Sequence, residues 1–294
     1  MKSWLRLLLI CALWVSSSAA WAQAKDESAA QPYTPEVGQA GKDVIWVPTP
    51  EATVKGMLEL AKVGPKDFVV DLGSGDGRTV IAAARDFGAR ALGVEYNPKM
   101  VEVARRAAAA AGVAYRAQFR RGDIFAADFS RATVLTLYLL PDLNLKLRPT
   151  ILRMKPGTRV VSHSFNMGEW EPDQTAEADA RTILLWLVPA RAAGTWRVRH
   201  PDGSFDLRLS QSFQKLQGSA RSGSTSLEVK EARLSGDAIS FVIVAADGSG
   251  SDYTGRLSGP SMQGTVKASG KSEAKWTAAR QQPKTERKPG AKQQ

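Results

Sequence analysis

The sequence predicts an α/β domain, in which helices cover both faces of a mainly parallel sheet, followed by a small all-β meander domain. Up to about residue 200, short apolar runs alternate with helical segments, and beyond it short alternating strands are separated by glycines. Strands that alternate with helices form parallel sheets, whereas closely spaced strands with glycine turns form meanders. A chain of 294 residues is long enough for one full α/β domain and a smaller unit.

The elements of the first domain, residues 44–200, can be placed in order. Thr49-Pro50-Glu51 predicts a helix start, with Thr49 as the N-cap, and Asn97-Pro98 predicts another of the same kind. Two apolar segments, 182–188 and 195–199, are joined by a short Pro/Ala/Gly stretch and predict an antiparallel hairpin at the sheet edge. Short apolar runs predict the other strands of the sheet, at residues 68–72, 91–95, 118–121, 133–138 and 159–164.

The second domain, residues 201–280, is predicted from alternating segments that end on glycine. Three similar tetrapeptides, which begin at Lys215, Arg233 and Arg256, each mark a strand end that turns on glycine. Such a meander folds as a small sandwich or a partial barrel. Its strands are predicted at residues 205–209, 227–229, 239–244, 253–257 and 264–266.

Residues 1–24 have the form of a secretory signal peptide. Lys2 and Arg6 supply a positive n-region, residues 7–15 an apolar core, and Ala22-Gln23-Ala24 a small-x-small cleavage site. We therefore expect a periplasmic or secreted protein that keeps no transmembrane segment once the signal is removed. The one cysteine of the sequence, Cys11, lies inside this segment, so disulfides and cysteine ligands are not expected in the mature chain.

Two further segments are predicted to lie outside the folded domains. Residues 25–43 are polar with no apolar period, which predicts a linker with order beginning near Val44. Residues 281–294 predict a disordered basic tail. The net charge of +11 favours an acidic partner without choosing among nucleic acid, lipid and protein.

A glycine-rich turn is the most informative motif of the sequence. Val69-Val70-Asp71-Leu72 is followed by Gly73-Ser74-Gly75-Asp76-Gly77, between a buried strand and a helix. Such a turn brings backbone amides close to a ligand. Its G-x-G-x-G spacing differs from the dinucleotide fingerprint, and Asp71 stands where the ammonium group of S-adenosylmethionine (SAM) would find a carboxylate. SAM is therefore the predicted cofactor.

Acidic residues also end the next two predicted strands. Glu95 lies about 20 residues beyond the glycine turn, where an acid binds the ribose hydroxyls of a nucleoside. Asp123 can accept a hydrogen bond from the adenine amine, while Ile124 packs on the ring. Each acid alone is commonly a solvated strand end. All three in order, at the edge where doubly wound sheets bind ligands, predict one nucleoside site.

These motifs together resemble the ATP synthase c-subunit lysine methyltransferase family and its bacterial relatives. The segments that carry the resemblance lie within residues 47–199 and read VVDLGSGDGR, GVEYNP, RRGDIF, TLYLLPDLNLKLRP and MKPGTRVVSHSFNMGEW. The resemblance implies a Rossmann-like class I methyltransferase fold and a methyl acceptor such as protein lysine. It also implies that Val47-Pro48-Thr49-Pro50 lies beside SAM, with Asp71, Gly73, Gly75 and Glu95 at methionine and ribose and Asp123 at adenine.

The predicted catalytic residues are Tyr138, Asn144 and Thr49, which can orient an acceptor amine near the fourth strand end. The alternative for Tyr138 is that it only packs. His163 on the fifth strand has the character of a hydrogen-bonded core residue. With two histidines and no carboxylates clustered beside them, the sequence predicts no metal site.

A SAM-dependent methyltransferase is the leading interpretation of the sequence. The alternative is a secreted non-catalytic protein with a methyltransferase-like fold, whose β-domain binds envelope partners. A secretory signal opens three possibilities, because SAM is made in the cytoplasm: SAM reaches the protein, the leader is retained, or the fold serves another purpose. Nucleic acid is not favoured as a partner, because no aromatic residues interleave with Arg105 and Arg106.

Overall fold

The computed structural model describes residues 33–282. The predicted signal peptide and the basic tail from residue 283 onwards lie outside the described residues. The first part of the fold is a seven-stranded sheet with strand order β3-β2-β1-β4-β5-β7-β6. Its strands are β1 (Phe68–Leu72), β2 (Arg90–Glu95), β3 (Ala117–Arg121), β4 (Val134–Leu137), β5 (Arg159–His163), β6 (Gln174–Ala178) and β7 (Arg181–Leu187). Its helices are α1 (Glu51–Leu60), α2 (Arg78–Phe87), α3 (Pro98–Ala110) and α4 (Pro141–Ile151).

Helices cover both faces of this sheet, as the alternation of strands and helices predicts. Strands β1 to β5 are parallel, and β6 and β7 are antiparallel to their neighbours. Val69 packs in the core formed with α1, α2 and α3, while Val70 faces the core formed with α4. Successive side chains of a strand point to opposite faces. The full burial of both residues therefore shows that both faces of the sheet are covered. The predicted α/β class is confirmed.

The second part of the fold is a closed antiparallel β-barrel in the order β10-β11-β12-β13-β14-β15-β8-β9. Its strands are β8 (Gly194–His200), β9 (Gly203–Ser212), β10 (Lys215–Ser222), β11 (Thr225–Ser235), β12 (Ala238–Val244), β13 (Gly250–Ser258), β14 (Ser261–Ala268) and β15 (Ala274–Arg280). The all-β meander is confirmed, and closure removes the exposed strand edges that an open meander would keep. Large aromatic side chains fill the barrel interior: Trp196, Phe205, Phe241, Tyr253 and Trp276.

The predicted edge hairpin of residues 182–188 and 195–199 is wrong. Strand β7 pairs with β6 through a tight turn at Asp179 and Ala180, whose φ angles are 53° and 55°. Strand β8 instead pairs with β9 and β15 and closes the barrel. Trp196 and Val198 alternate inward and are fully buried in the barrel core, which an exposed sheet edge would not allow.

A small contact joins the barrel to the sheet. Phe213 follows β9 and stacks on Trp170 with ring centroids 6.1 Å apart, while the Arg148 guanidinium lies 5.4 Å from the centre of the Phe213 ring. The Ala190 N–H donates to the Gly236 carbonyl across the same junction, at 2.8 Å. No helix in the described part of the chain is long and apolar enough to cross a membrane.

Order begins earlier in the chain than the sequence suggests. Residues 38–46 form a small hairpin, in which the Gly38 N–H donates to the Trp46 carbonyl and the Trp46 N–H donates to the Gln39 carbonyl, both at 2.9 Å. A β-bridge joins Ala40 to Ile45. The expectation of a linker up to residue 43 is therefore wrong for these residues, because backbone pairing rather than an apolar period orders them. We call residues 38–49 the cover segment.

Candidate functional site

The carboxyl ends of β1, β2 and β4 meet the cover segment around one pocket. The strand order reverses between β1 and β4, where parallel sheets of this kind open a crevice. The residues around the pocket include most of the positions predicted from the sequence. Its lining includes Thr49, Asp71, Gly73, Ser74, Gly75, Glu95, Asp123, Ile124 and Tyr138.

The glycine-rich turn has the conformation that the sequence predicts. Gly73, Gly75 and Gly77 have φ angles of 80°, 53° and 85°, a region that other residues rarely adopt. A Cβ on Gly75 would lie 2.6 Å from the Trp46 indole nitrogen, and one on Gly77 would lie 2.6 Å from the Phe119 ring. Gly77 therefore serves helix–sheet packing outside the pocket lining, while Gly75 lets the cover segment lie against the turn.

Asp71 lies at the end of β1, buried, and accepts a hydrogen bond of 2.6 Å from the Thr136 hydroxyl. Burial, with a further contribution from the negative charges of Glu95 and Asp76, raises the pKa of Asp71 to about 7 in spite of that hydrogen bond. An acid surrounded by other acids gains most from a cationic ligand. Asp71 therefore suits the ammonium group predicted for it.

Glu95 ends β2, and both of its carboxylate oxygens are held by the backbone. One accepts from the Gly75 N–H and the other from the Asn97 N–H, each at 2.9 Å. A carboxylate has about four lone-pair positions, so two acceptor positions stay free for a pair of hydroxyls. The two backbone bonds also fix the glycine turn relative to β2.

Asp123 follows β3 and is engaged by the cover segment. One carboxylate oxygen accepts from the Phe125 N–H at 2.9 Å, and the other pairs with the Lys42 ammonium at 2.6 Å. Lys42 also lies 5.1 Å from the centre of the Tyr96 ring. The pKa of Asp123 is lowered by the hydrogen bond from Lys42 and by the Phe125 N–H. Lys42 thus occupies an oxygen that the adenine amine was predicted to use.

The other end of the cover segment is fixed beside the glycine turn. Arg78 pairs with Asp76 at 2.6 Å and donates to the Thr49 carbonyl at 2.9 Å. Thr49 does not cap α1, contrary to the prediction, because Pro50 takes the cap position and Thr49 turns its hydroxyl toward His163. The cover segment therefore lies across the pocket and is anchored at two points, by Thr49 beside the glycine turn and by Lys42 at Asp123.

The three predicted catalytic residues do not all reach the pocket. Thr49 and Tyr138 line it. Asn144 is fully buried and lies outside the lining, and its amide donates to the carbonyls of Phe165 and Asn166 at 3.3 and 3.2 Å. Asn144 thus holds a loop, because helix α4 presents it to the turn after β5 rather than to the strand ends.

Sequence reasoning missed the contributions of Lys42 and Trp46, whereas His163 is the buried, hydrogen-bonded residue that the sequence predicts. The run Val44-Ile45-Trp46 before Val47-Pro48-Thr49 was a usable signal, because an apolar run next to a ligand-binding segment indicates packing. Within residues 33–282 there is no cluster of three or more His, Cys, Asp and Glu side chains that suits a metal ion.

The pocket residues fit SAM. Asp71, Glu95 and Asp123 supply acceptors for an ammonium, a pair of hydroxyls and an exocyclic amine, in that order along the strand ends. The hydroxyl of Ser74 is buried without a hydrogen-bond partner among the described residues, which leaves a donor and acceptor for a ligand at the same turn.

Comparisons with known proteins agree with this geometry. Residues 71–174 match the family described as the ANTKMT methyltransferase domain. A protein-lysine N-methyltransferase of Saccharolobus islandicus is 45% identical over 151 residues, which cover 49% of this chain and 94% of that protein. The chain belongs to the ANTKMT methyltransferase family. It is a class I SAM-dependent methyltransferase, as the strand-end acids predicted, and its family does not favour the non-catalytic alternative.

Two further similarities of this ANTKMT-family methyltransferase cover about half of its length. The mouse lysine N-methyltransferase of the ATP synthase c-subunit is 33% identical over 149 residues, covering 50% of this chain and 59% of that protein. The crystal structure of an RNA methyltransferase from Salinibacter ruber, in complex with S-adenosyl-L-homocysteine, is 53% identical. The matched region covers 49% of this chain and 95% of the Salinibacter ruber chain, with a TM-score of 0.49.

Proposed function

We propose that this methyltransferase acts on the side-chain amine of a protein lysine. Support comes from the 45% identity to a protein-lysine N-methyltransferase over 94% of that relative. The observation that carries the proposal is the uncharged wall beside the acids of the pocket. Tyr138 and Thr49 line the pocket without adding charge, and burial lowers the pKa of the adjacent His163 to about 4.

An uncharged aromatic wall suits a lysine side chain in two ways. The four methylenes of lysine pack favourably on an aromatic face, and a neutral histidine does not repel the amine. SAM, when bound, supplies an electrophilic methyl group. The acceptor amine would have to reach this methyl group in its neutral form, because only the neutral amine has a free electron pair. The chain mainly has to align the two partners and exclude water. A small number of well-placed side chains can do both by their position alone.

The experiment uses the purified full chain, SAM with a trideuterated methyl group, and the proteins of a strain from which the gene has been deleted. Peptide mass spectrometry should find trideuteromethyl groups on lysine. The matched control is Glu95→Ala, which should abolish labelling by weakening SAM. Labels confined to arginine, to nucleic acid or to small molecules would contradict the lysine assignment.

We also propose that the chain is exported to the periplasm or secreted. The positive n-region, the apolar core and Ala22-Gln23-Ala24 support this proposal. Cell fractionation followed by mass spectrometry of the native protein should find an envelope or extracellular protein that begins at Lys25. A full-length chain in the cytoplasmic fraction would refute export, and would place the enzyme where SAM is made.

A further inference from the structure

A stack of three rings includes Tyr138, which lines one wall of the pocket. The Tyr138 ring lies on the His163 ring, with centroids 3.9 Å apart and planes inclined by 24°. Phe165 stacks on Tyr138 at 5.9 Å and 17°. Tyr138 is the member of the stack that lines the pocket. Its orientation is therefore set by two rings that both come from the end of β5.

His163 connects this stack to the cover segment. Its Nδ1 lies 3.2 Å from the Thr49 hydroxyl, and both side chains are buried. Its Nε2 is buried without a hydrogen-bond partner among the described residues. A buried polar atom that lacks a partner costs about 1–3 kcal/mol, so a histidine used only for packing would be a poor choice here. The ring is held by its two contacts with pocket residues.

The backbone after β5 is bent to bring the rings together. The Phe165 N–H donates to the His163 carbonyl at 2.8 Å, which closes a three-residue turn centred on Ser164 with φ of 62°. Turns of this kind are rare and strained. The Phe165 carbonyl is fixed by the Ser162 hydroxyl at 2.8 Å and by the Asn144 amide. Strain that is held by surrounding bonds is typical of functional sites.

We propose that His163 is a positioning residue for the acceptor amine. It holds the Tyr138 ring and the Thr49 hydroxyl in the places where an incoming lysine side chain packs and donates a hydrogen bond. This assignment rests on the proposed lysine acceptor. His163 does not touch the substrate itself and acts through its two neighbours.

The test compares two ligands by calorimetry and needs no acceptor protein. S-adenosylhomocysteine has no group at the transfer position, whereas sinefungin carries a primary amine there. We expect the wild-type chain to bind sinefungin at least about fivefold more tightly than S-adenosylhomocysteine. His163→Phe keeps a ring but removes the bond to Thr49, and Thr49→Val removes the same bond from the other side. Both should reduce the ratio of the two affinities to within about twofold of one.

The controls separate positioning from folding. Thr49→Ser keeps the hydroxyl and should keep the ratio. His200→Phe changes the barrel histidine, which contacts the rings of Phe205 and Tyr253, and should also leave the ratio unchanged. A merely structural role of His163 would weaken both ligands equally, so an unchanged ratio in His163→Phe overturns the assignment.

If His163→Phe does not fold, Thr49→Val and Thr49→Ser decide the question, because they remove and restore the same hydrogen bond. A wild-type ratio near one also overturns the assignment while leaving lysine methylation standing. A wild-type chain that binds neither ligand overturns the proposed function, and this assignment with it.

Discussion

Replacing the buried acid of the pocket should stabilise the protein and weaken its cofactor binding together. Asp71→Asn keeps the shape of the side chain and an oxygen that accepts from Thr136. The pKa of Asp71 is raised from 3.8 to about 7, mainly by burial. At 1.36 kcal/mol per pKa unit, ionising this group in the folded state costs at most about 4 kcal/mol.

The pH dependence of this effect has a definite sign. The folded protein binds the Asp71 proton more tightly than the unfolded chain does, so the free energy of unfolding falls as pH rises from about 4 to about 7. Above that range the loss is constant. Asp71→Asn has no proton to lose, so its advantage over the wild-type chain should be near zero at pH 4 and greatest at pH 8. Urea unfolding at a series of pH values measures this difference.

The affinity for SAM should change in the opposite direction. A hydrogen bond to a charged partner contributes about 1.5–3 kcal/mol, so the dissociation constant at pH 8 should rise about 10- to 150-fold in Asp71→Asn. The wild-type affinity should fall as pH drops below about 7, because the carboxyl becomes protonated. Calorimetry at pH 6 and pH 8 measures both effects, and the variant should show a much weaker dependence on pH.

Glu95→Gln is the matched control for Asp71→Asn. The Glu95 carboxylate accepts two backbone N–H bonds, one on each oxygen, and an amide can keep only one of them. This variant should therefore weaken SAM while destabilising the fold. The account of Asp71 as a buried acid that binds the cationic group of SAM would be refuted by either of two results. One is an Asp71→Asn protein less stable than the wild-type chain at pH 8, and the other is an unchanged affinity of this variant for SAM.

Three further variants and one control, Gly112→Ala, test the cover segment and the barrel. Lys42→Ala should tighten SAM binding a few-fold in calorimetry, because the Asp123 carboxylate that pairs with Lys42 becomes free for the adenine amine. Weaker binding would instead show that Lys42 contacts the ligand. Gly75→Ala should lower the melting temperature and displace the Trp46 indole, which a change in tryptophan fluorescence would report. The control is Gly112→Ala, which should leave the fluorescence unchanged, because Gly112 has a similar φ of 69° but open space around it. A chain that ends at Val188 keeps every strand of the sheet and should bind SAM within about threefold of the full chain in calorimetry. Aggregation or loss of SAM binding would show instead that the sheet and the barrel depend on each other for folding.

The sequence determined the elements and motifs that depend on local pattern. Strand β1 is predicted and found at Phe68–Leu72, and the acids at 71, 95 and 123 all reach one pocket. Apolar periodicity and glycine turns report on neighbours a few residues away, and parallel strands bring their carboxyl ends together in any doubly wound sheet. The cap on α3 follows the same logic, since the Asn97 side chain accepts from the Lys99 N–H.

Only the tertiary structure decided the contacts that join distant parts of the chain. The alternation of buried and exposed side chains in β8 suits the edge of a sheet as well as a barrel. Only the pairing of β8 with β15, in which Arg199 lies opposite Thr277, places β8 in the barrel. Lys42 reaches Asp123 across 81 residues, and Thr49 reaches His163 across 114. A side chain's partner at such separations is set by the packing of whole elements, and the local pattern around a lone lysine or histidine is the same whether it meets solvent, core or a functional site.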